Sequence, residues 1–226
     1  MVKPWTAFPI KGVIWYQGEA NVGRSEQYGD LFPALITDWR RQWRSDFPFY
    51  FVQLANFMES KKIQPDSEWA ALREAQTKAL KLDQVGMAVT IDIGLADDIH
   101  PKNKQEVGRR LALVALAGSY GKNVSSSAPV FQNYIIKGNK MELDFGQKQD
   151  GFQIKGTTLK GFTIAGPDRV FYPAEAMVHD GKIILSSTEV PAPLAARYGW
   201  QIIRIVICTE RTGSRLPLSG PTVGRW

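Results

Sequence analysis

Phe49-Tyr50-Phe51-Val52-Gln53-Leu54 is apolar at consecutive rather than alternate positions, broken only by a glutamine near its end. A strand solvated on one face alternates apolar and polar side chains; a run without alternation is covered on both faces. Two similar runs flank it: Gly12-Val13-Ile14-Trp15-Tyr16, ending at Gly18, and Met87-Ala88-Val89-Thr90-Ile91, ending at Asp92. Between the first two, Tyr28, Leu31, Phe32, Leu35, Ile36, Trp39 and Trp43 recur at helical spacing. Pro33 sits inside that pattern, so a separate first turn is predicted, with the main helix starting near the proline. Next, Ser67 is placed to cap a helix on which Trp69, Leu72, Ala75, Ala79 and Leu80 share a face. Val107, Leu111, Val114 and Ala115 mark a third helix, ending near Gly118 or Gly121.

Three strand–helix units in a row predict an α/β fold over residues 10–121, with a parallel sheet inside a three-layer α/β/α sandwich. Right-handed crossovers put every strand's C-terminal end on one edge of such a sheet, and ligands bind outside that edge. Gln17, Glu19, Asn56, Asp92 and His100 all follow strand ends and are therefore expected to converge there. Beyond the linker-like Ser125-Ser126-Ser127 the pattern changes to alternation with turns at glycine. Met141, Leu143 and Phe145 follow Gly138-Asn139, and Ile183 and Leu185 follow Asp180-Gly181. Residues 1–124 and 125–200 thus divide into the α/β layer and a small antiparallel β module.

The 226 residues are 44% hydrophobic and 22% charged, which suits a chain with a substantial buried core. No apolar run approaches the ~18–20 residues of a membrane span, and no membrane partner is expected. Met1 to Thr6 offers no apolar stretch for a secretory leader. A net charge of +6 raises the question of nucleic acid, yet the basic residues do not gather on one helix face. Four of them, Arg204, Arg211, Arg215 and Arg225, lie in the last segment against Glu210 alone, so no nucleic-acid partner is expected. A lone cysteine, Cys208, makes no internal disulfide and leaves no cysteine–histidine cluster for zinc.

Two segments carry chemistry. Trp15-Tyr16-Gln17-Gly18-Glu19-Ala20-Asn21 runs from a strand into a polar loop, and Asp97-Asp98-Ile99-His100-Pro101 precedes a helix. A carboxylate two or three residues before a histidine can hold the imidazole in one tautomer and stabilise its cation, as a triad acid does. A glutamine amide at a strand end can donate to a developing oxyanion. Each segment also has a plainer reading, a surface ion pair for the histidine segment and a turn with a helix cap for the Gln17-Gly18-Glu19 segment.

Taken together, and with their surroundings, they carry a resemblance. Residues 12–21 closely resemble the third conserved block of sialate O-acetylesterases, relatives of the acetyl xylan esterases of carbohydrate esterase family six. Asp98-Ile99-His100-Pro101-Lys102-Asn103-Lys104 resembles the block that holds their catalytic histidine. Phe47 to Ala55 and Trp69 to Gln76 are similar to the same family, and the resemblance extends from about residue 9 to Trp200. It implies a partial SGNH-hydrolase sandwich and removal of O-acetyl groups from sialic acid or another sugar through an acyl-serine intermediate, with no metal or organic cofactor. His100 would be the general base and Gln17, within Gln17-Gly18-Glu19-Ala20-Asn21, an oxyanion-hole donor, with Gly18 and Asn21 in the same binding loop. The acid falls to Asp97, Glu19 or Asp98, in that order. Trp15, Tyr16 and Phe57 are aromatic groups able to stack on sugar, with core packing the plainer role for Trp15. For the full-length protein, the resemblance implies a periplasmic, secreted or lysosomal setting.

Two departures matter. The family's serine lies in a Gly-Gln-Ser-Asn segment that has no counterpart here; Ser25, after Arg24, reads as a turn or helix cap. The chain is therefore expected to begin partway through a catalytic domain, to expose one edge of the sheet, and to need the missing half from elsewhere, with a separate chain as one source. A non-catalytic carbohydrate-binding or scaffold protein derived from such an esterase is the alternative. After Trp200 the family continues Ala-Asp-Asn-Pro and closes near Ser-Pro-Phe-Arg-Thr-Asp. Suitable codons for residues 201–226, with one guanine restored after the Trp200 codon, give that ending. A frameshifted, non-native tail that does not dock on the β module is expected there.

Overall fold

Strands that are apolar throughout bury both faces, and the sheet they form is sandwiched. The computed structural model describes residues 2–58, 66–124, 126, 131–146, 152–153, 159–199, 209–210 and 223–224. Its first half is β1 (Val13–Trp15), α1 (Ser25–Trp43), β2 (Phe49–Val52), α2 (Glu68–Thr77), β3 (Val85–Ala88) and α3 (Lys104–Gly118). The three strands lie in the order β1-β2-β3, all parallel, with Val13 opposite Phe49 and Phe49 opposite Val85.

The middle strand shows why alternation is absent. Phe49 and Phe51 face α1, where Phe32 packs edge-on against both rings at 5.9 and 5.1 Å. Tyr50 faces the other way, its hydroxyl 2.8 Å from Ser119 Oγ just after α3. Gly86 of β3 and Gly118 of α3 bring backbone against that ring: a Cβ would stand 3.0 and 2.5 Å from Tyr50 atoms. With α1 and α2 on one face and α3 on the other, the expected three-layer sandwich is present. The outer strand is covered on one face only. Ile14, in register with Tyr50, is 70% exposed on the α3 side.

Two local expectations are corrected. α1 is one helix from Ser25 with Pro33 inside it, rather than a turn followed by a helix. A proline ring collides with the carbonyl of the preceding turn and leaves it unbonded; here that residue is Gly29, buried beneath Lys78. The third strand is Val85–Ala88, earlier than the run Met87 to Ile91. Val89 and Ile91 are apolar for a different reason, because they leave the sheet and join the core of the second half.

That second half contains β4 (Asn133–Lys137), β5 (Lys140–Asp144), β6 (Phe152–Gln153), β7 (Phe162–Ala165), β8 (Tyr172–Pro173), β9 (Glu175–His179), β10 (Lys182–Ser186) and β11 (Ala195–Tyr198). The sheets run β4-β5-β10-β9 and β13-β11-β7-β8, all antiparallel, where β13 is Val223–Gly224. Met141, Leu143, Ile183 and Leu185 from the first meet Phe162, Ile164, Ala196 and Tyr198 from the second in one core. The β9–β10 turn has positive φ at both Asp180 and Gly181, the type I′ geometry that matches strand twist. The two halves are joined by Val89 and Ile91, by Arg73 Nη2 donating to Gly199 O at 2.6 Å, and by Arg197–Asp66 at 3.1 Å.

Within the final segment, β12 (Thr209–Glu210) pairs with β6 and β13 with β11. Backbone pairing onto open strand edges is indifferent to side-chain identity, so these contacts reach into the segment expected to remain undocked. The isoleucine-rich stretch 202–207, Cys208, Ser125 and Ser127 lie outside the described residues.

Candidate active site

The loops after β1, β2 and β3 leave the same edge of the parallel sheet, and each is stitched to the next. Between the first two loops the stitch is Gln76, fully buried on α2. Its Oε1 accepts from Leu54 N at 2.9 Å, while Nε2 donates to Val52 O and Gln17 O, each at 3.3 Å. Any of these groups left buried and unpaired would cost ~1–3 kcal/mol. Between the second and third loops, Gln53 N donates to Ala88 O at 3.0 Å and Thr90 Oγ1 to Gln53 O at 2.5 Å. Gly94 N donates to Asn56 Oδ1 at 2.8 Å, and Met58 N to Ala96 O at 2.9 Å. Gly94 must be glycine for this approach, since a Cβ would lie 2.0 Å from Asn56 O.

In the first loop, Gln17 Nε2 donates to Asn21 Oδ1 at 2.7 Å, and Asn21 N donates to Gly18 O at 2.8 Å across the short 3-10 turn Glu19–Asn21. The Gln17 carbonyl receives a second donor, Tyr28 Oη of α1, at 3.2 Å. Gln17, Gly18, Glu19 and Asn21 are thus one hydrogen-bonded cassette. Tyr16 links it to α3: Lys104 Nζ stands 4.8 Å from its ring centroid. Burial first, and the neighbouring Glu19 charge second, push the Tyr16 phenol up to about 12.

His100 lies in the third loop, ahead of α3. Its neighbour Ile99 packs into the apolar cluster that also takes in Val22 and Phe57, from beyond the first and second loops. The backbone N–H of His100 donates to Asp98 Oδ1 at 2.8 Å, and that oxygen is 3.9 Å from Nδ1. Among the described residues Asp98 is the carboxylate in contact with His100, and Asp97 is exposed. The His100 side chain is 88% exposed. Trp15 packs among Phe32, Trp39 and Phe49 in the core, and Phe57 stands 5.2 Å from Trp69.

The loop's return into α3 is electrostatically fixed. Arg110 donates to Val89 O, to both Asp92 oxygens (2.6 and 3.0 Å) and to Glu106 (2.8 Å). Arg109 adds a two-point contact with Glu106, whose carboxyl is held down to about 2, first by Arg109, against the opposing effect of burial, and then by Arg110. Asn103 caps the helix, accepting from Glu106 N. No three His, Cys, Asp or Glu side chains lie together as metal ligands among the described residues, and no described helix is long and apolar enough to cross a membrane.

Sequence reading missed Gln76, Tyr28 and Arg110. The signal was available for Gln76: it falls on the stripe of Trp69, Leu72 and Ala79, where a polar side chain among buried neighbours needs internal partners.

The chain is similar to known esterases. A family model described as "Carbohydrate esterase, sialic acid-specific acetylesterase" matches residues 2–117, more than half of the chain. Sialate O-acetylesterase of Homo sapiens is 36% identical over 185 residues, covering 73% of this chain and 35% of its own. That of Mus musculus is 38% identical over 150 residues, covering 58% and 27%. A solved structure of a carbohydrate acetylesterase from Xanthomonas citri has a TM-score of 0.87 at 40% identity, covering 99% of this chain and 52% of that one. The chain spans about half the length of the solved relative and about a third of the curated ones. The architecture is that of a partial SGNH-type carbohydrate esterase, and the chain belongs to the family of sialic acid-specific acetylesterases.

Proposed function

We propose that this chain forms the histidine- and glutamine-bearing side of a carbohydrate O-acetylesterase site, with the nucleophilic serine contributed by a segment outside these 226 residues. The observation that carries the reading is the stitching of the three loops at one sheet edge, which holds the Gln17 and His100 loops in a single frame. Support also comes from the names of the relatives, all acetylesterases.

In this reading the serine oxygen attacks the acetyl carbonyl as His100 takes its proton. Gln17 donates its second amide hydrogen to the oxyanion, the first being engaged by Asn21. His100 then returns the proton to the departing sugar oxygen, and water, activated by the same imidazole, releases acetate from the acyl-serine. Asp98 orients His100; its contact favours it over Asp97 and Glu19. This chemistry requires no metal or organic cofactor, and the substrate is an O-acetylated sialic acid or other sugar.

Hydrolysis of an aryl acetate tests the serine assignment. The isolated chain is expected to show none above background, and turnover is expected when a segment carrying Gly-Gln-Ser-Asn is supplied, fused or in trans. Enzyme-like hydrolysis by the isolated chain that disappears in Ser25→Ala would refute it; Ser25 opens α1.

A further inference from the structure

Gly18 is buried, yet among the described residues its N–H has no acceptor. Buried backbone N–H groups without partners are rare in folded proteins, and one at the end of a sheet strand is available to a ligand. Its direction follows from its neighbours. The peptide between Gln17 and Gly18 is trans, so its C=O and N–H point oppositely. The carbonyl is held by two donors, Gln76 Nε2 from α2 and Tyr28 Oη from α1. It therefore faces the α1–α2 layer, and the N–H faces away from it. The next peptide is held as well, its Gly18 carbonyl accepting from Asn21 N at 2.8 Å.

We propose that Gln76 and Tyr28 are positioning residues for the acyl-oxygen subsite. By pinning the Gln17 carbonyl they fix the adjoining peptide so that Gly18 N–H donates, together with the Gln17 side-chain amide, to the oxygen of a bound acetyl group. The inference rests on the acetylesterase reading of the site. It adds a backbone donor whose direction is set from two helices rather than from the loop itself.

The test uses the isolated chain, isotopically labelled, with acetate as the probe, because a carboxylate oxygen stands in for the acyl oxygen. Gln76→Met removes the Gln76 bonds to Gln17 O, Val52 O and Leu54 N, and Tyr28→Phe removes only the hydroxyl while leaving the Leu54 and Val52 contacts in place. Both variants are expected to shift the Gln17 carbonyl carbon resonance upfield. Amide exchange from Gly18 to Asn21 should speed up roughly tenfold or more in Gln76→Met, with exchange in β5 and β10 unchanged. In the wild type, acetate should move the Gly18 amide proton downfield, and both variants should reduce that response severalfold. An unmoved Gln17 carbonyl resonance in both variants, or exchange that rises equally throughout the chain, overturns the pinning. A wild-type Gly18 amide indifferent to acetate overturns its role as donor. Failure of the esterase reading is separate, and appears as absent aryl acetate turnover in the presence of the serine segment.

Discussion

Asp98 and Asp97 stand side by side in sequence; Asp98 contacts the imidazole and Asp97 is exposed. Asp98 Oδ1 takes the His100 backbone N–H and lies 3.9 Å from Nδ1, an ion-pair distance longer than a hydrogen bond. In the serine-complemented enzyme, Asp98→Asn is expected to lower kcat by about 10²–10⁴-fold, as loss of a triad acid does. Asp97→Asn should leave it within about threefold. Steady-state kinetics of the two variants decides between them, and the reverse ranking would return the role to Asp97. Spacing could not make this choice, because both carboxylates fall within the same two or three residues of the histidine; the contact to Nδ1 favours Asp98. The burial of Gln76 was legible from the stripe it shares with Trp69, Leu72 and Ala79, but its partners are backbone groups, which leave no trace in sequence.

Among the elements, α3 sets the approach of the His100 loop through Arg110, which grips Val89 O, Asp92 and Glu106 together. Glu106 is held down to about 2 from an ordinary 4.5. A depressed carboxylate contributes stability above its unfolded pKa and loses it as pH falls through the folded one. Glu106→Gln is therefore expected to lower the thermal midpoint at pH 7 by about 1–4 °C, after discount for solvent screening of this partly exposed group. The deficit should shrink between pH 4.5 and about 2. Thermal scans across that window check it; a deficit independent of pH would mean that packing rather than charge is at stake. Ser67, which accepts from Ala70 N at the start of α2, should cost about 1 kcal/mol as Ser67→Ala in denaturant unfolding. Element types were legible because continuous apolar runs, helical periodicity and the Ser67 cap all agree. Boundaries were less so. Val89 and Ile91 look like strand residues but serve the core of the β half, and a one-dimensional pattern cannot say against which partner a side chain packs.

At the scale of the molecule, the parallel sheet is open at β1 among the described residues. Ile14 faces the α3 side without cover, and Trp5, Phe8 and Ile10 add exposed apolar surface nearby in the chain. An uncovered parallel edge invites association, so the isolated chain should self-associate and Ile14→Lys should reduce this, as read by sedimentation velocity. Equal association in wild type and variant would place the contact elsewhere. The central claim is that His100 and Gln17 work on one acetyl group although they arise from different loops. The most direct measurement is kcat/KM for acetyl ester hydrolysis by the serine-complemented enzyme carrying His100→Ala or Gln17→Ala. Losses of about 10³-fold or more for the first and about 10²-fold for the second are predicted; near wild-type turnover in His100→Ala would contradict the account.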